Sequence, residues 1–247
     1  MMKSYYNLLF KRRSIRRFDP SLSVSKEELA LINQKIESLI PLNSDIKTAF
    51  KIVKSEETTA KFGEYCIMAY SGEHPMKLLN IGYMLEQLDL FFVSINIGAC
   101  WYGMAKTKEK MLDGLVYVIM IAFGKVTEVS YRTSSGEFNR KNITELWQGD
   151  FNQDIKNAAI LAPSACNSQP WRIESTESQL SIYRKKSVRT IMTPRIRAYF
   201  NMIDMGIFLC FIDVLFDYYQ IKYQKEFPST FESNSDLVKI ATYRVNN

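Results

Sequence analysis

Three stretches of this chain bring together residue types that can do chemistry. The first is Ala162-Pro163-Ser164-Ala165-Cys166-Asn167-Ser168-Gln169-Pro170-Trp171. Each of its prolines lacks an N–H and fixes φ, so the stretch cannot be one helix. The small side chains between the prolines let backbone amides come close to a flat partner. Asn167 and Gln169 add amides that both donate and accept. Most clusters of this composition are ordinary turns, and the residue types alone leave that open. The second stretch, residues 11–17, carries five cations in seven positions, a repulsion that solvent or an anion must offset. Arg12, Ser14 and Arg16 alternate, so in an extended segment they point to one side while Ile15 anchors the other. Arginine forks and a hydroxyl suit phosphate oxygens. The third, Gly98-Ala99-Cys100-Trp101-Tyr102-Gly103, is a glycine-bounded aromatic turn that by itself reads as packing.

Composition removes several alternatives. The 247 residues are 47% hydrophobic and 23% charged, enough for one large or two small domains with a core and against disorder. Cys66, Cys100, Cys166 and Cys210 form no C-x-x-C pair, and His74 is the single histidine, which argues against a zinc site or a histidine triad. No metal is expected. The net charge of +6 is modest, and its only dense clusters are residues 11–17 and 184–197. No nucleic-acid motif accompanies them, and Tyr5, Tyr6 and Phe18 read as packing. Residues 1–6 begin no long apolar run, so no signal peptide is expected. The most apolar helical pattern, 200–219, includes Asn201, Asp204 and Asp213 and suits a protein core rather than a bilayer. These features point to a reduced, cytoplasmic protein without a membrane partner.

The ten-residue stretch resembles the A-P-S-x-x-N-x-Q-P-W signature of the FMN-dependent nitroreductase family, with seven fixed positions matched. Residues 12–18 are similar to that family's R-x-S-x-R-x-F segment, and 100–103 to its C-W-x-G segment. The resemblance implies FMN as cofactor. By it, Arg12, Arg13 and Ser14 meet the phosphate and the pyrimidine edge, and Arg16 stabilises the reduced ring near N1 and O2. Trp101, Tyr102 and Gly103 lie at flavin N5, where the Tyr102 N–H would donate and Gly103 keeps space open. Pro163, Ser164, Ala165, Asn167 and Gln169 line the ring. Arg140 and Lys141 fall where relatives place a basic pair at the phosphate, a looser match.

Local patterns place these stretches. Ser25 with Glu28 forms a capping box for a helix striped by Leu29, Ile32 and Ile36. Strands are expected over 46–53 and 65–70, a loop or short helix over 55–61, and a long buried helix over 76–97 ended by Gly98 at C′. A strand follows over 116–122, a polar loop over 131–141, and a short helix over 143–147 capped by Asn142. The back half expects a helix over 151–161, strands over 171–175 and 179–185, a helix over 199–219, and strands over 221–227 and 237–245. This order echoes the front half, with 201–204 aligning loosely on 80–83.

The expected architecture is α+β, a nitroreductase-like three-layer sandwich of mostly antiparallel sheets flanked by helices. Its two fused half-repeats, 1–148 and 149–247, form a pseudo-dimer. Family members are homodimers with FMN at the subunit interface. Here each motif occurs once, and Ile40-Pro41-Leu42-Asn43-Ser44, where a second copy could lie, keeps a proline but no Q-P-W. One flavin per monomeric chain is therefore expected. The resemblance implies an FMN-dependent oxidoreductase using NAD(P)H and a small nitro- or quinone-type acceptor by a ping-pong route. No G-x-G-x-x-G fingerprint is present, so the nicotinamide would stack on the flavin itself. A specialised flavoenzyme on the same scaffold (a dehydrogenase, dehalogenase or flavin-fragmenting enzyme) and a flavin carrier or sensor without turnover are the alternatives.

Overall fold

Capping chemistry sets the first long helix. In this computed structural model, which describes residues 2–127 and 131–245, a 3-10 turn (Met2–Tyr5) and helix α1 (Tyr6–Lys11) lead to the extended basic segment. Helix α2 (Lys26–Glu37) then starts at Ser25. The Glu28 N–H donates to Ser25 Oγ at 3.1 Å, and the Ser25 N–H donates to the Glu28 carboxylate at 2.9 Å. The expected box is therefore complete.

Two units form, one of Lys11–Thr133 and the other of Met1–Phe10 with Ser134–Asn247. Relative to a boundary at 148, residues 134–148 and the first ten group with the second unit. Within that unit the 3-10 turn packs on its long helix, and the short helix after Asn142 packs on the strands Trp147–Gly149 and Trp171–Thr176.

The first unit continues through β1 (Thr48–Lys54), β2 (Tyr65–Ser71), α3 (Lys77–Ser94), β3 (Gly98–Trp101), β4 (Met111–Leu112) and β5 (Leu115–Gly124). Its antiparallel sheet runs β1-β2-β5-β3, with β4 on β5. Val53, Cys66, Met68, Tyr70, Met120 and Ala122 fill one core beneath it, with Tyr102 and Tyr117 packed at the margin.

Helix α3 does not end at Gly98. Asn96 takes the left-handed conformation (φ 61°), the Ile97 N–H donates to Phe92 O at 3.0 Å, and the Asn96 N–H donates to Val93 O at 3.4 Å. This is a Schellman closure with asparagine at C′. Gly98 opens β3 instead, for a steric reason. A Cβ there would lie 2.9 Å from Ile15 Cγ2 and 3.2 Å from Phe18 Cε1, so glycine lets the basic segment lie against the strand. Asn96→Ala is expected to lower stability by about 1 kcal/mol, because alanine keeps the Cβ but lacks the polar side chain that lets asparagine tolerate the left-handed region. Asn96→Gly should be neutral or better in thermal unfolding.

The second unit holds α4 (Ile143–Leu146), capped by Asn142 as expected, then β6 (Trp147–Gly149), α5 (Gln153–Ala159), β7 (Trp171–Thr176) and β8 (Gln179–Lys185). It ends with α6 (Pro194–Tyr218), β9 (Tyr223–Glu226) and β10 (Leu237–Val245). Strand β6 was not foreseen. It pairs parallel to β7, and the rest of the sheet is antiparallel in the order β6-β7-β8-β10-β9. Helix α6 starts five residues before the expected 199, because Pro194 occupies its first turn without an N–H to lose. By length and hydropathy α6 could cross a membrane, yet 89% of its apolar window is buried inside the protein.

The two sheets follow one path. In each, two neighbouring strands lead into a long helix, an outer strand follows, and the last strand inserts between: β1-β2-β5-β3 in one, β7-β8-β10-β9 in the other.

Candidate functional site

In the first unit the basic segment is held by backbone. The Ile15 N–H donates to Ala99 O at 2.9 Å, the Asp19 N–H donates to Lys125 O at 3.0 Å, and Ile15 is buried. Arg12 and Arg16, which share a side by sequence parity, have opposite environments. Arg12 is 3% exposed. Its Nε donates to Asp89 Oδ2 at 2.7 Å, its Nη2 donates to Ser14 Oγ at 3.2 Å, and Glu86 lies 3.9 Å away. Burial opposes its charge, but the Asp89 and Glu86 carboxylates raise its pKa above the usual arginine value. Arg12 is thus a strut that fixes Ser14 from behind. Arg13 and Arg16 are exposed and Ser14 is half-buried.

Asp89 Oδ2 also accepts the Trp101 indole N–H at 2.9 Å, which ties the C-W-x-G segment to the same carboxylate. Burial, and then the neighbouring Asp89 charge, push the Glu86 carboxyl well above the ordinary range. Among the described residues neither Glu86 oxygen has a hydrogen-bond partner. Burial likewise raises the Cys100 thiol.

The Tyr102 N–H, expected to be open for flavin N5, donates to Met120 O at 2.9 Å. The β3–β5 pairing simply runs on by one residue. The next amide, Gly103 N–H, makes no hydrogen bond among the described residues. The Tyr102 hydroxyl accepts the Lys61 N–H at 3.3 Å, and its ring meets Phe62 edge to face at 5.7 Å. Phe62, Lys61, Arg16, Arg17 and Phe18 line a cavity of about 550 Å³ within this unit. The side chains of Arg16, Arg17 and Lys61 make no hydrogen bond or ion pair among the described residues.

In the second unit the proline-bounded stretch is a loop under backbone strain. Cys166, Asn167 and Gln169 have φ of 50°, 53° and 47°, a left-handed region costly for side chains other than glycine. Surrounding bonds over-determine it. The Gln169 N–H donates to Ser164 Oγ at 2.9 Å, and Gln169 Oε1 accepts the Lys141 N–H at 2.8 Å. Arg140 donates from Nη1 to Asn167 Oδ1 at 3.1 Å and from Nη2 to Leu161 O at 2.8 Å. Lys141 Nζ donates to Ser168 O at 2.9 Å, and burial lowers its pKa. The basic pair expected at a phosphate therefore braces the loop here. Pro163 and Gln169 are buried, Ser164 and Ala165 half-buried, and Cys166 and Asn167 exposed.

Beneath the loop lie two residues that sequence reasoning assigned only to a helix core. Asp204 Oδ1 accepts the Ala165 N–H at 2.9 Å. Asn201 Nδ2 donates to Asp204 Oδ2 at 2.8 Å and to Ser168 Oγ at 2.7 Å. A buried Asp and Asn one turn apart on an otherwise apolar helix was the available signal, since such groups need partners.

The family model described as "Putative TM nitroreductase" matches residues 4–215. The solved structure of a "putative nitroreductase" from Thermotoga maritima is similar over 98% of this chain and 94% of its own. It shares 21% identity with a TM-score of 0.65, a likeness of fold. A "putative nitroreductase in complex with FMN" from Desulfovibrio desulfuricans is similar over 60% of this chain and 98% of its own, at 19% identity and a TM-score of 0.47. No curated protein matches the sequence.

Proposed function

The chain belongs to the nitroreductase family so described, and from that premise we propose an FMN-dependent oxidoreductase that carries electrons from NAD(P)H to a small nitro- or quinone-type acceptor. The residues fit FMN once buried struts are told apart from exposed contacts. Ser14 and Arg13 would hold the phosphate, and Arg16 the N1/O2 edge. Gly103 N–H, rather than that of Tyr102, would meet N5. Pro163, Ser164, Ala165 and Asn167 would line the ring, with Trp101 behind the N5 segment. Arg12, Gln169, Arg140 and Lys141 would hold those contacts in place.

Bound FMN supplies the redox chemistry, so the protein need contribute no acid or base. Its own residues bind and orient, and Arg16 stabilises negative charge on the ring edge. The observation that carries this reading is Arg16 itself: an exposed guanidinium, unpaired among the described residues, on a segment pinned at Ile15 and lining a cavity with Phe62. With no dinucleotide fingerprint, one open flavin face would serve donor and acceptor in turn, a ping-pong route. We further place the chain in the cytoplasm as a monomeric pseudo-dimer, in keeping with four cysteines that form no disulfide and with the repeated sheet path.

FMN titration of the flavin-free chain, followed by stopped-flow mixing with NADH and NADPH, tests the proposal. Saturation at about one FMN per chain, the count set by one complete group of contacts, with bleaching by either nucleotide, is the expected result. Binding without bleaching would leave a flavin carrier. No binding would end the flavin reading.

A further inference from the structure

The loop has a counterpart in the first unit. There the Leu42 and Asn43 N–H groups donate to Asn80 Oδ1 at 2.7 and 3.2 Å. Asn80 is fully buried on α3 and is followed by Ile81 and Gly82, while Asp204 on α6 is followed by Met205 and Gly206. In both units, then, the loop before the first antiparallel strand hangs by a backbone N–H from one side-chain oxygen on the long helix. The correspondence is Asn80 with Asp204, one turn along from the alignment of Asn80 with Asn201 that sequence suggested. One copy uses a neutral amide and the other an acid.

We propose that Asp204 is the positioning residue of the flavin loop, and that its charged form holds residues 164–168 in the conformation that receives the cofactor. The proposal rests on the flavin reading above. A carboxylate accepts the Ala165 N–H and the Asn201 amide more strongly than a neutral group does. It thereby pins the loop where Cys166 and Asn167 are forced to positive φ.

The surroundings are built for two protonation states. Asn201 Oδ1 is buried and has no hydrogen-bond partner among the described residues. It is the acceptor that a protonated Asp204 needs after a flip of the Asn201 amide, a flip that withdraws the Nδ2 donor from Ser168. Burial raises the Asp204 pKa to about 7, against the lowering effect of the Ala165, Asn201 and Ser168 hydrogen bonds, so both states lie within the working range. The titratable groups of the loop and its braces are Cys166 within it, Arg140, which donates to Asn167 Oδ1, and Lys141, which donates to Ser168 O. None of them bonds to Asp204, nor does any group on α5 or the 3-10 turn at Met2–Tyr5.

Cys166 reports the loop without any cofactor. It is exposed, whereas Cys66, Cys100 and Cys210 are buried. Its iodoacetamide alkylation rate would be compared between wild type and Asp204→Asn at pH 6 and pH 8, so that the general pH dependence of the alkylation is common to both proteins. Asp204→Asn places in this loop the anchor that Asn80 provides in the other. The ratio of wild-type to variant rate should be close to one at pH 6 and fall about threefold at pH 8, where charge-assisted bonds tighten the wild-type loop. FMN affinity of the wild type should rise by a similar factor over the same interval.

A rate ratio that is equal at both pH values would overturn the proposal, as would wild-type FMN affinity that ignores pH. A wild type that binds no FMN at any pH would instead sink the flavin reading, and the Cys166 ratio would still decide whether Asp204 sets the loop.

Discussion

Arg12→Ala is expected to destabilise the flavin-free chain by about 3–5 kcal/mol, the usual cost of removing one partner from a buried ion pair. Arg12, Glu86 and Asp89 are 3%, 0% and 1% exposed. Without the guanidinium, the buried Asp89 side chain would keep, among the described residues, the Trp101 N–H as its one remaining donor. Glu86, already pushed toward its neutral form, would rise further once the one nearby cation is gone. Ser14 would lose its brace as well. Urea unfolding without flavin discriminates sharply, because a residue that only contacts phosphate would leave the empty protein's midpoint unchanged. An unchanged midpoint would therefore restore Arg12 to the phosphate and remove it as a strut. Arg12→Met, which keeps volume without charge, should recover little, since the loss comes from Asp89 rather than from a cavity.

That pair also shows where sequence reasoning stops. Local signals were legible: the Ser25–Glu28 box and the Asn142 cap both lie within a few residues of what they determine. Alternation put Arg12, Ser14 and Arg16 on one side, but it could not say that Arg12 meets an acid 77 positions later while Arg16 meets none among the described residues. Strand β6 escaped because three residues carry no period. Only its parallel register with Ile173, Glu174 and Ser175 makes it a strand. Asn96 outdid Gly98 as the helix stop because Gly98 was needed where Ile15 and Phe18 crowd β3. The motif at 162–171 was legible as a loop. Its floor, Asp204 and Asn201, lies more than 30 residues away on a helix whose composition advertised only burial.

The same floor predicts an inverted stability profile. Asp204 has an ordinary value of 3.8 when unfolded and about 7 when folded, raised by burial. Between those values the folded chain holds the proton more tightly than the unfolded one, so this group weakens the fold as pH climbs from about 4 to about 7. Below that window the folded and unfolded groups are both protonated and the penalty is absent; above it the penalty is complete. Roughly three units correspond to about 4 kcal/mol at most. Asp204→Asn removes a charge while keeping the oxygen that receives the Ala165 N–H. The variant should therefore be more stable than wild type at pH 8 by up to about that amount, with the gap closing toward pH 4. Chemical denaturation across that range is the measurement. A gap that stays constant would mean an Asp204 that titrates as an ordinary carboxylate, and one that widens at low pH would mean a carboxylate stabilised in its charged form by the fold. The expected gain in stability runs against the expected loss of loop order in the same variant. An acid at 204, where Asn80 shows that an amide suffices to hang a loop, makes physical sense if the charge serves the ligand rather than the fold.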